Sequence, residues 1–155
     1  MAYLLDTLST LRLLSNRQSD PLIVWLGANQ IRPYIAPVSL GRARDSIRRD
    51  PKLQPIQRSD LEKRLDVLCE AMDAGSRASA FLATMDAKTA LTWGDLLGFS
   101  GVGAVEAVEL AVVAAALRWS LVLVDGTDEN RFAKIAPSIP PALGQLRVIS
   151  ADNPT

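Results

Sequence analysis

The stretch VGAVEAVELAVVAAALRWSLVLVDGTD, residues 102–128, decides the reading of the chain. Its first part, Ala104–Trp119, consists of good helix formers and is almost wholly apolar. Ser120 interrupts it, and Leu121–Val124 follows as a short, continuously apolar run. A helix that is apolar nearly all round belongs inside a core. A run such as LVLV, with no alternation, suits a central parallel strand. The apolar length is enough to raise a membrane span, but Glu106, Glu109 and Arg118 interrupt it, and each is costly in lipid. The segment therefore reads as a core helix leading into a core strand. Glu106 and Glu109 lie near the helix start, and Asp125, Asp128 and Glu129 cluster past the strand. Ligands of open parallel sheets bind beyond the carboxyl ends of the strands, so acids gathered there invite a metal reading.

Outward from this stretch, short apolar segments alternate with helical patterns. Tyr3–Leu5 is a predicted strand ending at Asp6, followed by an apolar helical repeat over Leu8–Leu14. Asp20–Pro21 has the form of an N-cap with proline at the first helical position. Tyr34–Ala36 is a second strand, placed at or near an edge by Pro37, and Ser39 is the expected cap of a helix reaching Arg49. Ser59-Asp-Leu-Glu62 matches a capping box, with Leu61, Leu65, Leu68 and Met72 behind it as a core-facing stripe. Phe81–Ala83 is a third strand. Asp86 is expected to cap a helix to Leu97 that buries Ala90, Trp93 and Leu97. A short element around Phe132 and a last strand, Arg147–Ile149, complete the pattern. Strands alternating with helices imply an α/β fold with a mostly parallel sheet.

The 155 residues, 48% of them hydrophobic and 22% charged, suit one globular domain over 1–155. Formal net charge is zero, so no global field drives binding to nucleic acid or membrane. The charge is uneven, however: Arg42–Arg64 holds eight basic and four acidic residues, and Asp86–Thr155 five basic and eight acidic. Solvated helix faces account for such a pattern as readily as binding surfaces do. The chain has no histidine, which removes the commonest general base and argues against zinc sites and Ser-His-Asp chemistry. The lone Cys69 fits a reducing cytoplasm, and MAYLLD lacks the marks of an export signal.

Several strings, in order, resemble the PIN domain, and within it the VapC-type toxins of bacterial toxin–antitoxin pairs. They are YLLDT at Tyr3–Thr7, DP-x3-WL at Asp20–Leu26, YIAPVSLG at Tyr34–Gly41, and D-x6-WGDL at Asp86–Leu96. The alanine-rich helix, the LVLV strand and the terminal Asn153-Pro154 complete the set. The resemblance implies a three-layer α/β/α sandwich around a mostly parallel sheet of four or five strands. It also implies a Mg²⁺- or Mn²⁺-dependent endoribonuclease built from three or four acidic residues, a cognate antitoxin as partner, and a homodimer. Carboxylates suit that chemistry, because hard divalent cations take oxygen ligands and activate water beside a scissile phosphate.

Carried over residue by residue, the resemblance assigns the catalytic and metal positions to Asp6, Glu109 and Asp128, with Asp125 as the alternative to the last. The family's second acid falls on Arg42, a reversal of charge within the proposed site. Asp45 lies one turn on and is a substitute ligand; Arg42 itself is a candidate to take the cation's place by pairing with Asp6 or Glu109. Glu106 reads as a first-turn acid complementing the helix dipole. Arg44, Arg48 and Arg49 are the candidate contacts to an RNA backbone. Trp25, Trp93 and Trp119 are expected in the core. The leucines of Leu11–Leu14 and of the Leu61/Leu65/Leu68 stripe are candidate walls of a partner groove, or simply core. Three functions stand open: an active cytoplasmic ribonuclease toxin, a PIN-like protein with a degenerate active site that acts by binding, and an α/β interaction module of other ancestry.

Overall fold

The computed structural model describes residues 1–75 and 78–155, with Ser100 described in its backbone alone. Strands β1 (Tyr3–Leu5), β2 (Tyr34–Ile35), β3 (Phe81–Leu82), β4 (Val122–Asp125) and β5 (Val148–Ser150) form one sheet in the order β3-β2-β1-β4-β5. Every pairing is parallel. The two strands at the centre, β1 and β4, pair with Tyr3 opposite Val122, Leu4 opposite Leu123 and Leu5 opposite Val124. The chain builds from β1 toward one edge through β2 and β3, then toward the other through β4 and β5. Its direction of winding thus reverses between β1 and β4, and a crevice opens there at the carboxyl ends of the strands.

Alternation along β1 and β4 divides the interior into two cores, which gives the three layers the resemblance implies. Leu4 and Leu123 face one, packed with Val112, Val113, Ile135 and Phe132. Helices α5 (Ala87–Leu97), α6 (Leu110–Arg118) and α7 (Arg131–Ile135) cover that face. Leu5, Ile35 and Val124 face the other, against Leu14, Leu22, Ile47 and Leu65. These come from α1 (Thr7–Ser15), α2 (Pro21–Ala28), α3 (Pro37–Arg49) and α4 (Pro55–Asp73). Leu4, Leu5, Ile35 and Leu123 are completely buried, each worth about 1.5–3 kcal/mol relative to exposure. Leu110–Ala116 of α6 are buried without exception, as the all-round apolar run requires.

Four local expectations are corrected. Helix α6 begins at Leu110, with turns and irregular backbone over residues 103–109 where sequence reading predicts its first two turns. The Trp93 indole donates 2.8 Å to the Ala107 carbonyl, which holds that acceptor in a tertiary contact outside the helix. Helix α4 starts at Pro55, a turn before the predicted capping box, and the Gln57 side chain accepts the Gln54 amide at 2.9 Å. Helix α3 starts at Pro37, so Ser39 lies inside its first turn with a fully buried hydroxyl that finds no hydrogen-bond partner among the described residues. Finally, α5 buries Thr89 and Leu96 in place of Ala90 and Leu97. Its indole must reach Ala107 at the rim, which leaves Trp93 half-buried. Trp25 is likewise half-buried, edge-on to Tyr3, and Trp119 is 40% exposed beneath the Arg118 guanidinium. Asp20 and Asp86 cap α2 and α5 as the sequence predicts, each accepting a first-turn amide. No helix among the described residues is long and apolar enough to cross a membrane.

Candidate functional site

A cleft of about 170 Å³ lies at the reversal point, lined by Asp6 and Thr7 after β1, Arg42 and Ser46 of α3, Glu106 and Glu109 before α6, and Thr127 and Arg131 after β4. Two of the three sequence-predicted acids, Asp6 and Glu109, meet in it. Asp128 does not: it lines a separate depression with Arg12, Arg17 and Asp20. The β4–α7 loop accounts for its position. Asp125, completely enclosed at the end of β4, accepts the Thr127 amide at 2.8 Å, the Thr127 hydroxyl at 2.5 Å and the Phe132 amide at 3.0 Å. The loop is wound around Asp125, and Asp128 projects from its far side.

Asp6 is committed to the backbone in the same way. As N-cap of α1 it accepts the Ser9 amide on one oxygen at 2.8 Å and the Gly126 amide on the other at 2.9 Å. Gly126 is required for this approach, since a Cβ there would stand 2.7 Å from the Ser9 nitrogen and 3.0 Å from an Asp6 oxygen. Asp6 is 1% exposed. Burial pushes its carboxyl up to about 6, against hydrogen bonds from Ser9 and Gly126 that pull the other way, while nearby Asp125 adds to the rise. The carboxyl is therefore shared between protonated and ionised forms near pH 6.

Glu109 accepts the Thr7 hydroxyl at 2.8 Å and lies 3.5 Å from the Arg42 guanidinium. Arg42 also pairs with Glu106 at 2.6 Å. The charge-reversed position thus carries a cation into the acidic side of the cleft, paired with the two glutamates and not with Asp6. Glu106, read from sequence as a dipole-complementing acid, proves to be part of the cleft, and Arg131 enters it from α7. The position of Glu106 depends on residues 103–109 being turns and irregular backbone, which the helical composition conceals. Asp45 is engaged with Arg49 at 2.7 Å on the helix surface. The other two candidate RNA contacts are also in ion pairs, Arg44 with Asp66 and Arg48 with Glu62.

For a hard divalent cation the donor set is incomplete. Among the described residues no group of three or more Asp, Glu, Cys or His converges to hold a metal ion. The two acids that do meet are hydrogen-bonded to backbone amides in one case and to a hydroxyl and a guanidinium in the other.

On the other side of the sheet, Leu14 and Leu65 are buried, and Leu11 and Leu61 are half-buried against the same core. The leucine stripes are thus mainly interior. What remains outside is a groove between the end of α1 and α4, walled by Leu13, Val67, Leu68 and Ala71, with Lys63 and Arg64 among its lining residues.

No known family model matches the chain, and no curated protein matches it in sequence. Solved structures do match. A chain of the VapBC2 complex of Rickettsia felis, bound to a DNA fragment from its promoter, superposes with a TM-score of 0.63 at 15% identity, over 97% of this chain and 98% of that one. A chain of FitAB bound to an IR36 DNA fragment gives 0.65 at 16%, over 99% and 97%. DNA-bound VapBC of Salmonella typhimurium gives 0.64 at 14%, over 97% and 98%. At these identities the likeness establishes the fold, that of a VapC-like PIN domain.

Proposed function

We propose that this PIN-fold chain is a toxin-like protein whose cleavage centre is closed by its own Arg42, and which acts by binding a partner of the antitoxin kind. The observation that carries this reading is the Arg42 guanidinium paired with Glu106 and Glu109. A fixed positive charge there repels a divalent cation and takes up the acid that would coordinate it. With Asp6 partly protonated near pH 6, the cleft offers Mg²⁺ or Mn²⁺ little net negative charge. The α1–α4 groove is the proposed partner seat, because exposed Val67 leaves apolar surface beside Lys63. VapBC and FitAB are among the complexes with a chain of this fold, which supports a partner of this class.

Calorimetric titration with Mg²⁺ tests the reading. The native chain is expected to bind weakly or not at all. Arg42→Glu removes a repelling charge and adds a ligand, so tighter binding is expected from it. Tight binding by the native chain, or metal-dependent cleavage of RNA by it, overturns the proposal. Equal affinities in the two proteins mean that Arg42 does not govern the cleft.

A second reading, an active Mg²⁺-dependent ribonuclease using Asp6 and Glu109, is favoured by one observation. The Arg42 and Glu106 side chains are 36% and 60% exposed, and a pair so open to solvent is held by about 1 kcal/mol or less. In that reading Arg42 swings out when RNA and metal enter. The same titration with an RNA substrate present separates the two.

A further inference from the structure

We propose that the pocket between Tyr34 and Trp119 is a binding site for a neutral, flat nitrogen heterocycle of the purine class. The pocket, of about 370 Å³, is walled by Tyr34 at the start of β2, Leu82 of β3, Thr84 just after it, and Trp119 and Leu121 between α6 and β4. It shares no lining residue with the cleft or the α1–α4 groove, so the inference depends on neither the metal nor the partner. Its two large rings are held in place although they are partly open to solvent. Trp119 is 40% exposed, yet its indole donates to the Thr84 carbonyl at 3.1 Å, and the Arg118 guanidinium lies 4.3 Å from its ring centre. Arg118 is itself tied to Asp86 at 3.0 and 3.1 Å. Ser120 then turns left-handed at φ 52°, an unfavourable conformation for a residue with a Cβ, and the Leu121 amide reaches the Ala116 carbonyl at 2.9 Å. That stop ends α6 with Trp119 at the pocket. Tyr34 packs 5.1 Å from Phe81, which carries the Arg32 guanidinium at 3.9 Å. Aromatic rings fixed before a ligand arrives lose little freedom on binding it.

The lining identifies the occupant. Among the described residues, none that line the pocket is charged, so an ion bound there loses its hydration without compensation. The two guanidiniums lie over rings and outside the lining. Arg118 draws electron density from the Trp119 ring, which then stacks best on an electron-rich ring. Platforms of this kind take nucleobases, every one of which has a π-face. The Tyr34 and Thr84 hydroxyls make no hydrogen bond among the described residues, and each can donate or accept. A purine meets all of these conditions: it is neutral, electron-rich, and edged with both donors and acceptors. The volume falls within the roughly 300–1,000 Å³ usual for small-molecule sites. A nucleic-acid strand does not fit, because it needs cations along its backbone and these walls offer none.

Titration of the ¹⁵N-labelled full chain with adenosine to about 5 mM, followed by two-dimensional NMR, tests this. The chain has three tryptophans, and Trp119→Phe identifies the Trp119 indole signal by deleting it. Trp93 donates to the Ala107 carbonyl, between the two cleft glutamates, so its indole signal reports on the cleft. The Trp119 signal is expected to shift and saturate with a midpoint of about 0.1–1 mM, while the Trp25 and Trp93 signals stay in place. Cytidine should bind at least about threefold more weakly, and raising NaCl from about 50 to 200 mM should leave the adenosine midpoint within about twofold. Trp119→Leu and Tyr34→Leu should each weaken binding at least about fivefold, read on the Thr84 and Leu121 amides. Trp119→Phe, which keeps a ring, should weaken it by no more than about threefold. Circular dichroism checks that each variant is folded; should Tyr34→Leu not fold, the exposed Trp119 carries the test alone. A Trp119 signal that does not move, a shift of the Trp93 signal in its place, or native-like binding by Trp119→Leu overturns the proposal. So does a single-stranded oligoadenylate that binds more tightly than adenosine and loses affinity steeply with salt, since that assigns the rings to a strand.

Discussion

Replacing Asp6 by Asn keeps the shape of the side chain and removes its charge, and the effect should depend strongly on pH. In the folded chain the Asp6 carboxyl is raised from its ordinary 3.8 to about 6. A proton held more tightly in the folded state stabilises it fully below the unfolded value, and that stabilisation is lost as pH rises through about 6. At roughly 1.36 kcal/mol per pH unit the loss amounts to about 3 kcal/mol between acid and neutral pH, nearly all of it above pH 4. Asn escapes this loss. It does incur a constant cost, because the Ser9 and Gly126 amides both donate to the Asp6 carboxylate, and an Asn side chain accepts only one of them. One unsatisfied buried amide costs about 1–3 kcal/mol. The variant should therefore be less stable than the native chain near pH 4.5, and roughly equal to it or slightly more stable at pH 7. Urea unfolding of both proteins at half-unit steps from pH 4.5 to 7.5 measures the difference directly, since other titrating groups cancel. Parallel stability profiles would refute the reasoning, by showing that burial does not raise Asp6.

Three further outcomes follow from the packing. Gly126→Ala should destabilise the chain by about 1–3 kcal/mol in urea, because the new Cβ meets the Ser9 nitrogen at 2.7 Å. It should also loosen the contact between the β4–α7 loop and α1, read as faster amide exchange at Ser9 and Gly126. Asp20→Ala removes both the α2 cap and the partner of Arg12, which holds the two Asp20 oxygens at 2.6 and 2.9 Å; a loss of about 1–2 kcal/mol in chemical denaturation is expected. Trp93→Phe deletes the bond to the Ala107 carbonyl at about 1 kcal/mol. Hydrogen exchange should then quicken across residues 103–109 and leave α6 unchanged.

The parts of this architecture that periodicity encodes were legible in the sequence. The β1 and β4 strands carry unbroken apolar runs that mark them as central parallel strands; that they are neighbours comes from the reversal of winding between them, which alternation of strands and helices alone does not dictate. Asp20 and Asp86 precede helices whose first amides need an acceptor, a purely local requirement. The start of α6 was not legible, because Ala104–Glu109 has the composition of a helix and is kept out of it by a bond from Trp93, in another element. Its consequence, that Glu106 and Glu109 both turn into the cleft, is equally tertiary. The separation of Asp128 from Asp6 rests on Asp125 binding its own loop, a competition among neighbouring acids that spacing does not resolve. Arg42 was visible as a departure from the pattern the chain resembles, and Glu109 as one of its candidate partners; Glu106, which it holds more closely, was not.

The side chains that give the cleft its charge sit mostly outside the two cores. Arg42 is on the open face of α3, Glu106 in the irregular backbone before α6, and Arg131 at the mouth of a five-residue helix. Exchanges at such positions ordinarily change stability by no more than about 0.5 kcal/mol. Selection for foldability is therefore nearly blind to these three side chains, in contrast to the buried Asp6 beside them. A lineage carrying this scaffold can pass from one set of cleft charges to another through single substitutions, with no unstable intermediate. A fold shared at about 15% identity and a cleft whose exposed charges can be exchanged at little cost are both what such mechanical independence allows.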